Sequence, residues 1–237
     1  MENYTLLVLT LIAIAMVGTG AVHSADYFVA PDGSDDNPGT EAAPWQTIAK
    51  ANAAVKAGDT VNVLPGEYTD QIAPEASGDE GAPITYRATQ WREAKLVTPE
   101  KIAIELRNRS YISVEDFAID CDGSGRWVYA TDCDHITVRG CHFRDARYTM
   151  EIIQSEQVKL LDNIFSKDRV TGNMISIRQC SFVLIEGNSL TRVGHSPMQI
   201  TTCRNVVVRG NCFRNNWGRN YEFWATGRIL IEDNVVT

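Results

Sequence analysis

Val158–Phe165 reads VKLLDNIF, Val183–Leu190 reads VLIEGNSL, Val206–Phe213 reads VVVRGNCF and Ile229–Val236 reads ILIEDNVV. The same phrase (apolar, any, apolar, any, turn residue, Asn, any, apolar) returns in looser form at Ile112–Ile119, ISVEDFAI, and Ile136–Phe143, ITVRGCHF. The six copies start 24, 22, 25, 23 and 23 residues apart. A fixed period in the twenties marks a solenoid, in which each repeat buries its apolar face only against its neighbours.

The residue types within the phrase predict an all-β solenoid, a parallel β-helix. Positions one and three are apolar and alternate inward, as strand geometry requires. The fifth position is Asp116, Gly140, Asp162, Gly187, Gly210 and Asp233, types that tolerate a left-handed turn. The sixth is Asn163, Asn188, Asn211 and Asn234 in the last four copies, which predicts an amide ladder inside the turn. The eighth is an apolar stack from Ile119 to Val236. The fourth, Glu115, Arg139, Leu161, Glu186, Arg209 and Glu232, faces outward as a solvated charge ladder.

Working outward, Val61–Val63 and Ile84–Tyr86 supply two earlier coils. That makes eight rungs, starting at 61, 84, 112, 136, 158, 183, 206 and 229. The longer step from Ile84 to Ile112 predicts an inserted loop around Gln90–Pro99. A second strand recurs in each rung, with inward pairs Met150/Ile152, Ile175/Ile177, Met198/Ile200 and Tyr221/Phe223. Three residues later come Ser155, Cys180, Cys203 and Thr226, with Cys133 one rung earlier. Cys180 and Cys203 on neighbouring rungs form either a disulfide or a stack of buried thiols.

Before the rungs, Tyr27–Ala30 reads as a strand and Trp45–Lys56 as a helix, with Gly58 as its C-cap. Asn52 is the one polar interruption of that helix's apolar face. A helix laid over the solenoid end would cap it, so residues 26–58 are assigned as an N-terminal cap and 59–237 as rungs. Residues 1–25 are expected to be a secretory signal. The apolar run Leu6–Val17 is too short to span a bilayer, although Glu2 replaces the usual basic start. The repeat stops inside a rung, which suggests a piece of a longer solenoid.

The formal net charge of −8 argues against a nucleic-acid binder. None of the six cysteines is in a C-x-x-C pair, so a structural zinc site is poorly supported.

The opening Tyr27–Thr40, then Pro44-Trp45 with Thr47-Ile48 and Ala51, then Gly58-Asp59-Thr60 and Pro65-Gly66-Glu67-Tyr68, resembles the start of right-handed parallel β-helix proteins of the pectate-lyase-like superfamily. The resemblance covers the chain from about residue 26. It implies a right-handed β-helix that is secreted, monomeric and directed at an acidic polysaccharide. It also implies a substrate groove over one sheet and its flanking turns. The superfamily holds lyases, glycoside hydrolases, esterases and adhesins, so activity must be argued from the site.

The analogous face here is the second strand and its preceding turn. Its outward positions are Tyr129, Glu151, Ser176, Gln199 and Glu222, then Thr131, Ile153, Arg178, Thr201 and Trp224. The turns hold Arg144, Tyr148, Arg169, Arg192, His195, Trp217, Arg219 and Asn220, with Arg144, Arg169 and Arg192 expected in line. Cleaving a uronate polymer by β-elimination needs a cation to neutralise the carboxylate, either Ca²⁺ or side chains, and a base to take the α-proton. His195 as base and Arg219 as neutraliser are the candidate catalytic pair. Arg144, Tyr148, Glu151, Arg169, Arg178, Arg192, Gln199, Trp217, Asn220, Glu222 and Trp224 are the candidate substrate contacts. The alternatives are a non-catalytic carbohydrate-binding or adhesion solenoid and a glycoside hydrolase of the same fold. Hydrolysis needs two carboxylates about 5–10 Å apart. Glu151 and Glu222, three rungs apart, lie roughly 14 Å from each other, whereas Asp145 or Asp168 with Glu151 could meet the demand.

Overall fold

A computed structural model describes residues 24–98, 101–166, 173–191, 196–216 and 221–237. Residues 1–23 of the expected signal segment and three of the turns that enter the candidate face lie outside these residues.

The chain coils through three parallel sheets. The first has nine strands: Asp26–Val29, Thr60–Val63, Ile84–Ala88, Ser110–Glu115, Asp134–Arg139, Glu156–Leu161, Ser181–Glu186, Arg204–Arg209 and Gly227–Glu232. Every predicted rung start falls on one of the last eight. The eight-stranded second sheet carries the phrase's final positions, for example Ala118–Asp120, His142–Arg144 and Ile164–Ser166. The third sheet has six strands. Each phrase therefore bends into two strands, so a full rung has three strands where the sequence suggested two.

The bend is made at the fifth position. Asp116, Gly140, Asp162, Gly187, Gly210 and Asp233 all have φ between 53° and 69°. Such a corner turns backbone N–H groups inward, where each needs a partner. The asparagines provide it. The Asn163 amide N–H donates to Asn188 Oδ1, Asn188 N–H to Asn211 Oδ1 and Asn211 N–H to Asn234 Oδ1, each at 2.9 Å. Each Nδ2 donates back to an earlier rung, as Asn188 Nδ2 does to Leu160 O at 2.8 Å. Cys141 takes the asparagine's place one rung earlier, and its amide donates to Asn163 Oδ1 at 3.0 Å.

The corner column also alternates for steric reasons. A Cβ on Gly140 would lie 2.0 Å from Asp116 Oδ1, and one on Gly187 would lie 2.4 Å from Asp162 Oδ1. The aspartate of one rung fills the space that a side chain on the next would need.

Inside, Phe143 and Phe165 stack at 4.9 Å, with Leu190 and Phe213 continuing the line. Buried Trp127 packs against both phenylalanines, and its Nε1 donates to Arg144 O at 2.8 Å. Burying each such ring contributes about 1.5–3 kcal/mol. In the last rung the inward residues Ile229, Ile231 and Val236 are exposed, because no further described rung covers them.

The corner between the third and first sheets carries a second ladder. Sulfurs of Cys133, Cys180 and Cys203 donate to Leu106 O, Ile152 O and Ile177 O at 3.6–3.7 Å, and Thr226 Oγ1 donates to Ile200 O at 3.2 Å. All six cysteines are free, so the Cys180–Cys203 neighbours are stacked thiols and not a disulfide. The hydrogen bond to Cys203 and then burial push the Cys180 thiol well above its ordinary value. Burial pushes Cys141 up to about 12 and Cys121 to about 11.

Two boundaries differ from the sequence reading. The helix runs only over Ile48–Ala54, capped by Thr47, whose Oγ1 accepts from Lys50 N at 3.0 Å. Trp45 is instead held extended, bridging Val29 and stacked on Tyr27 at 4.5 Å. Gly58, with φ 89°, lies beyond the helix end at Val55 and leads into the next strand. Asn52, the polar interruption, is buried and bonded by Nδ2 to Gln71 O and by Oδ1 from Tyr86 Oη, each at 2.9 Å. Within the expected loop around Gln90–Pro99, Ala94–Val97 is a regular strand. The extra length is taken up at residues 89–93, around exposed Trp91.

Replacing Asn188 by Ala is expected to cost about 1–3 kcal/mol for each buried group left unpaired, read as a lower urea midpoint. An unchanged midpoint would show that the ladder carries no stability. In the folded protein only Cys212, the one partly exposed cysteine, should react with a thiol reagent. The other five should react only on unfolding.

Candidate functional site

The third sheet stacks Ile102–Arg107, Arg126–Thr131, Tyr148–Ile153, Ile175–Arg178, Met198–Thr201 and Tyr221–Trp224. Alternation sends Met150, Ile152, Ile175, Ile177, Met198 and Ile200 into the core. The outward residues therefore fall into columns. Glu105, Tyr129, Glu151, Ser176, Gln199 and Glu222 are paired in sequence, as are Arg107, Thr131, Ile153, Arg178, Thr201 and Trp224. This is the order expected from the repeat.

Charge on this face is organised by Glu151. Arg126 Nη1 donates to its Oε2 and Arg178 Nη2 to its Oε1, so one carboxylate is held from the rungs on either side. Glu151 and Arg126 are mostly covered, whereas Arg178 is about half exposed. The Arg126 guanidinium carbon lies 5.3 Å from the Tyr129 ring centre and 5.2 Å from that of Tyr148. Arg107 lies 4.5 Å over the other side of this network on Tyr129, and its Nε donates to Glu105 Oε1 at 2.7 Å. Arg147 is 5.4 Å from Tyr148.

Farther along the face the chemistry is neutral to acidic. Gln199 Oε1 accepts from Asn173 Nδ2 at 3.0 Å. Glu222 Oε1 accepts from Ser196 Oγ at 2.7 Å, and its Oε2 from Trp224 Nε1 at 3.4 Å. Trp224 is half exposed.

Of the sequence-predicted contacts, Tyr148, Glu151, Arg178, Gln199, Glu222 and Trp224 thus share one face. Arg144 ends a strand of the second sheet, in register with Asp120 and Ser166, and Ser166 with Thr191. Ser166 and Thr191 thus stand next in line to Arg144 in this sheet. Arg169, Arg192, His195, Trp217, Arg219 and Asn220 lie outside the described residues. Sequence reasoning missed Arg126 and Arg107. The signal was present in the register, which sets Arg126 directly opposite Tyr148.

The described donors on this face do not assemble a Ca²⁺ cage. Among the described residues no three of His, Cys, Asp or Glu gather as a metal site, and both Glu151 oxygens are occupied by arginine. Glu151 and Glu222 stand three rungs apart. Elsewhere, two shallow grooves of about 580 and 550 Å³ run along the first sheet. Phe182, Leu184, Val207 and Leu230 line the first, and stacked Tyr111 and His135 line the second.

A three-sheeted parallel coil closed by an asparagine corner defines a parallel β-helix. The chain belongs to the Pel9A-like right-handed β-helix family, whose model, described as "Pel9A-like, right handed beta helix region", matches residues 27–168. It is 28% identical over 144 residues to the uncharacterized protein YwoF of Bacillus subtilis, covering 54% of this chain and 31% of that protein. It is 44% identical over 70 residues to pectate lyase PEL9 of Emericella nidulans, covering 29% of this chain and 17% of that protein. The chain thus matches less than a third of either curated relative.

Among solved structures, the GH136 lacto-N-biosidase from Eubacterium ramulus is similar with a TM-score of 0.68 and 11% identity, over 90% of this chain and 56% of that one. A rhamnogalacturonan lyase is similar with a TM-score of 0.64 and 16% identity, over 90% and 67%. At these identities the likeness is one of fold. No helix among the described residues is long and apolar enough to cross a membrane.

Replacing Glu151 by Ala should lower stability by about 1 kcal/mol at low salt, because it leaves two neighbouring guanidinium groups without their shared anion. The loss should shrink in high salt, where their repulsion is screened. A salt-independent loss in thermal melts would mean that Glu151 acts through packing alone.

Proposed function

We propose that this protein is a secreted carbohydrate-active β-helix that binds an acidic polysaccharide along its third sheet and cleaves it by β-elimination. The observation that carries the reading is the gathering of Arg107, Arg126, Arg147 and Arg178 with Tyr129 and Tyr148 on and beside one sheet face. The chain as a whole bears a net charge of −8. Family membership and the pectate lyase among its relatives support the same substrate class.

Elimination needs the α-proton beside a uronate carboxylate to be removed. Its C–H electron pair becomes the new double bond as the glycosidic C–O bond β to it breaks. The leaving oxygen then takes a proton from a nearby acid or water. Guanidinium groups serve this chemistry by neutralising the carboxylate, because their planar N–H pairs match its two oxygens. His195 is the proposed base and Arg219 the proposed neutraliser, one rung apart in the repeat. Arg178, Tyr148, Gln199 and Trp224 would hold the chain along the face. Residues 1–25 would direct export, placing the enzyme where such polymers occur.

A glycoside hydrolase is the second reading, favoured by the fold shared with the lacto-N-biosidase. The separation of Glu151 from Glu222 and the double occupation of Glu151 by arginine count against that carboxylate pair. Incubation with galacturonan, alginate or chondroitin should raise the ultraviolet absorbance of unsaturated ends. Replacing His195 or Arg219 by Ala should abolish the rise while leaving the β circular dichroism intact. New reducing ends without that absorbance would establish hydrolysis instead. Retained turnover in both variants would refute the assigned pair.

A further inference from the structure

Arg126 opens its strand on the third sheet and was not among the residues expected to touch substrate. It is nonetheless the most constrained cation on the face, bonded to Glu151 and set between the rings of Tyr129 and Tyr148. We infer that Arg126 and Arg178, held by Glu151, form a subsite that reads the free carboxylate of one uronate unit, with Tyr129 and Tyr148 as its walls. The inference rests on the polysaccharide reading of this face and names which unit of the polymer is recognised, and where.

Charge balance is the first argument. Two guanidinium groups around one carboxylate leave one positive charge over, which a single uronate carboxylate would neutralise. Arg107 offers no such surplus, because Glu105 takes its Nε and Gln71 donates to the other Glu105 oxygen. Ser176 on the Arg178 strand and Gln199 and Thr201 on the next are neutral. A carboxylate laid along the described face is therefore drawn to the Arg126–Arg178 pair.

Geometry is the second argument. Each guanidinium has five N–H donors and gives one of them to Glu151. With both its oxygens bonded, Glu151 acts as a positioning residue and not as the substrate contact that the sequence suggested. The two tyrosine rings restrict the Arg126 fork further, which reduces the entropy lost when it binds. Tyr148 is half exposed, so its ring also presents apolar surface to a sugar. A methyl ester at this unit would remove the charge that the pair is left to neutralise.

The test is affinity electrophoresis of the full chain through de-esterified galacturonan, highly methyl-esterified galacturonan and neutral galactan. Circular dichroism of each variant checks folding. Wild-type protein should be retarded by the de-esterified polymer. Arg126→Gln and Arg178→Gln should each weaken that binding about tenfold, the loss of one charge-assisted pair, and leave the other two polymers unaffected. Arg126→Lys should restore only part of it. Glu151→Ala should also weaken binding of the de-esterified polymer, although it makes the face more positive.

Equal losses on all three polymers, no loss in the arginine variants, or no wild-type retardation would each overturn the subsite. Tighter binding by Glu151→Ala would overturn the positioning role. The readout is independent of turnover. Arginine-dependent binding without unsaturated products upholds the subsite and removes the elimination reading.

Discussion

The fold depends on how a chain can turn a sharp corner at every rung without stranding its backbone amides. At the six first-to-second sheet corners from Asp116 to Asp233 one residue takes a left-handed φ, and the next faces an interior where water cannot solvate its N–H. The asparagine ladder meets that demand by passing each amide to the Oδ1 of the rung above, at 2.9 Å. Because the bonds run between rungs, they fix register as well as closing the turn. Register in turn decides which side chains stand beside one another on the outer faces, and so everything that the third sheet can do.

On that sheet, alternation and stacking bring together residues that are 25 to 27 positions apart in sequence. The result is a cationic face on which Arg107, Arg126 and Arg178 are held by acids. Arginine pairs with glutamate and tyrosine across successive rungs, so its orientation is set before a ligand arrives. A flexible cation would have to lose rotamer freedom on binding, whereas these have already lost it in folding. The acidic balance of the whole chain adds to the contrast, since it disfavours anion binding elsewhere on the surface.

Much of this was readable from the chain because the determinants are periodic. Asn188 and Gly187 occupy fixed places in a repeated phrase, and inward positions such as Phe165 and Leu190 follow from strand alternation. The outward columns of the third sheet were legible for the same reason. The Glu151 clamp was not, because side-chain pairing across rungs depends on reach and rotamer, which spacing does not encode. Trp45 carried an apolar helical pattern, yet its backbone bonds to Phe28 and Ala30 hold it extended. There tertiary pairing outweighed local propensity.

The alternation of aspartate and glycine at the corner makes neighbouring rungs unequal. Between Asp116 and Gly187 the natural unit is a pair of rungs, one supplying the side chain and the other the vacancy that receives it. Removing the Gly140 coil, or duplicating an aspartate coil, would set aspartate against aspartate, with like charges and one side chain forced to move. Shortening or lengthening by two would preserve the match. The solenoid thus carries a neighbour rule, no aspartate beside aspartate in this stretch, that its overall period of about 23 residues conceals.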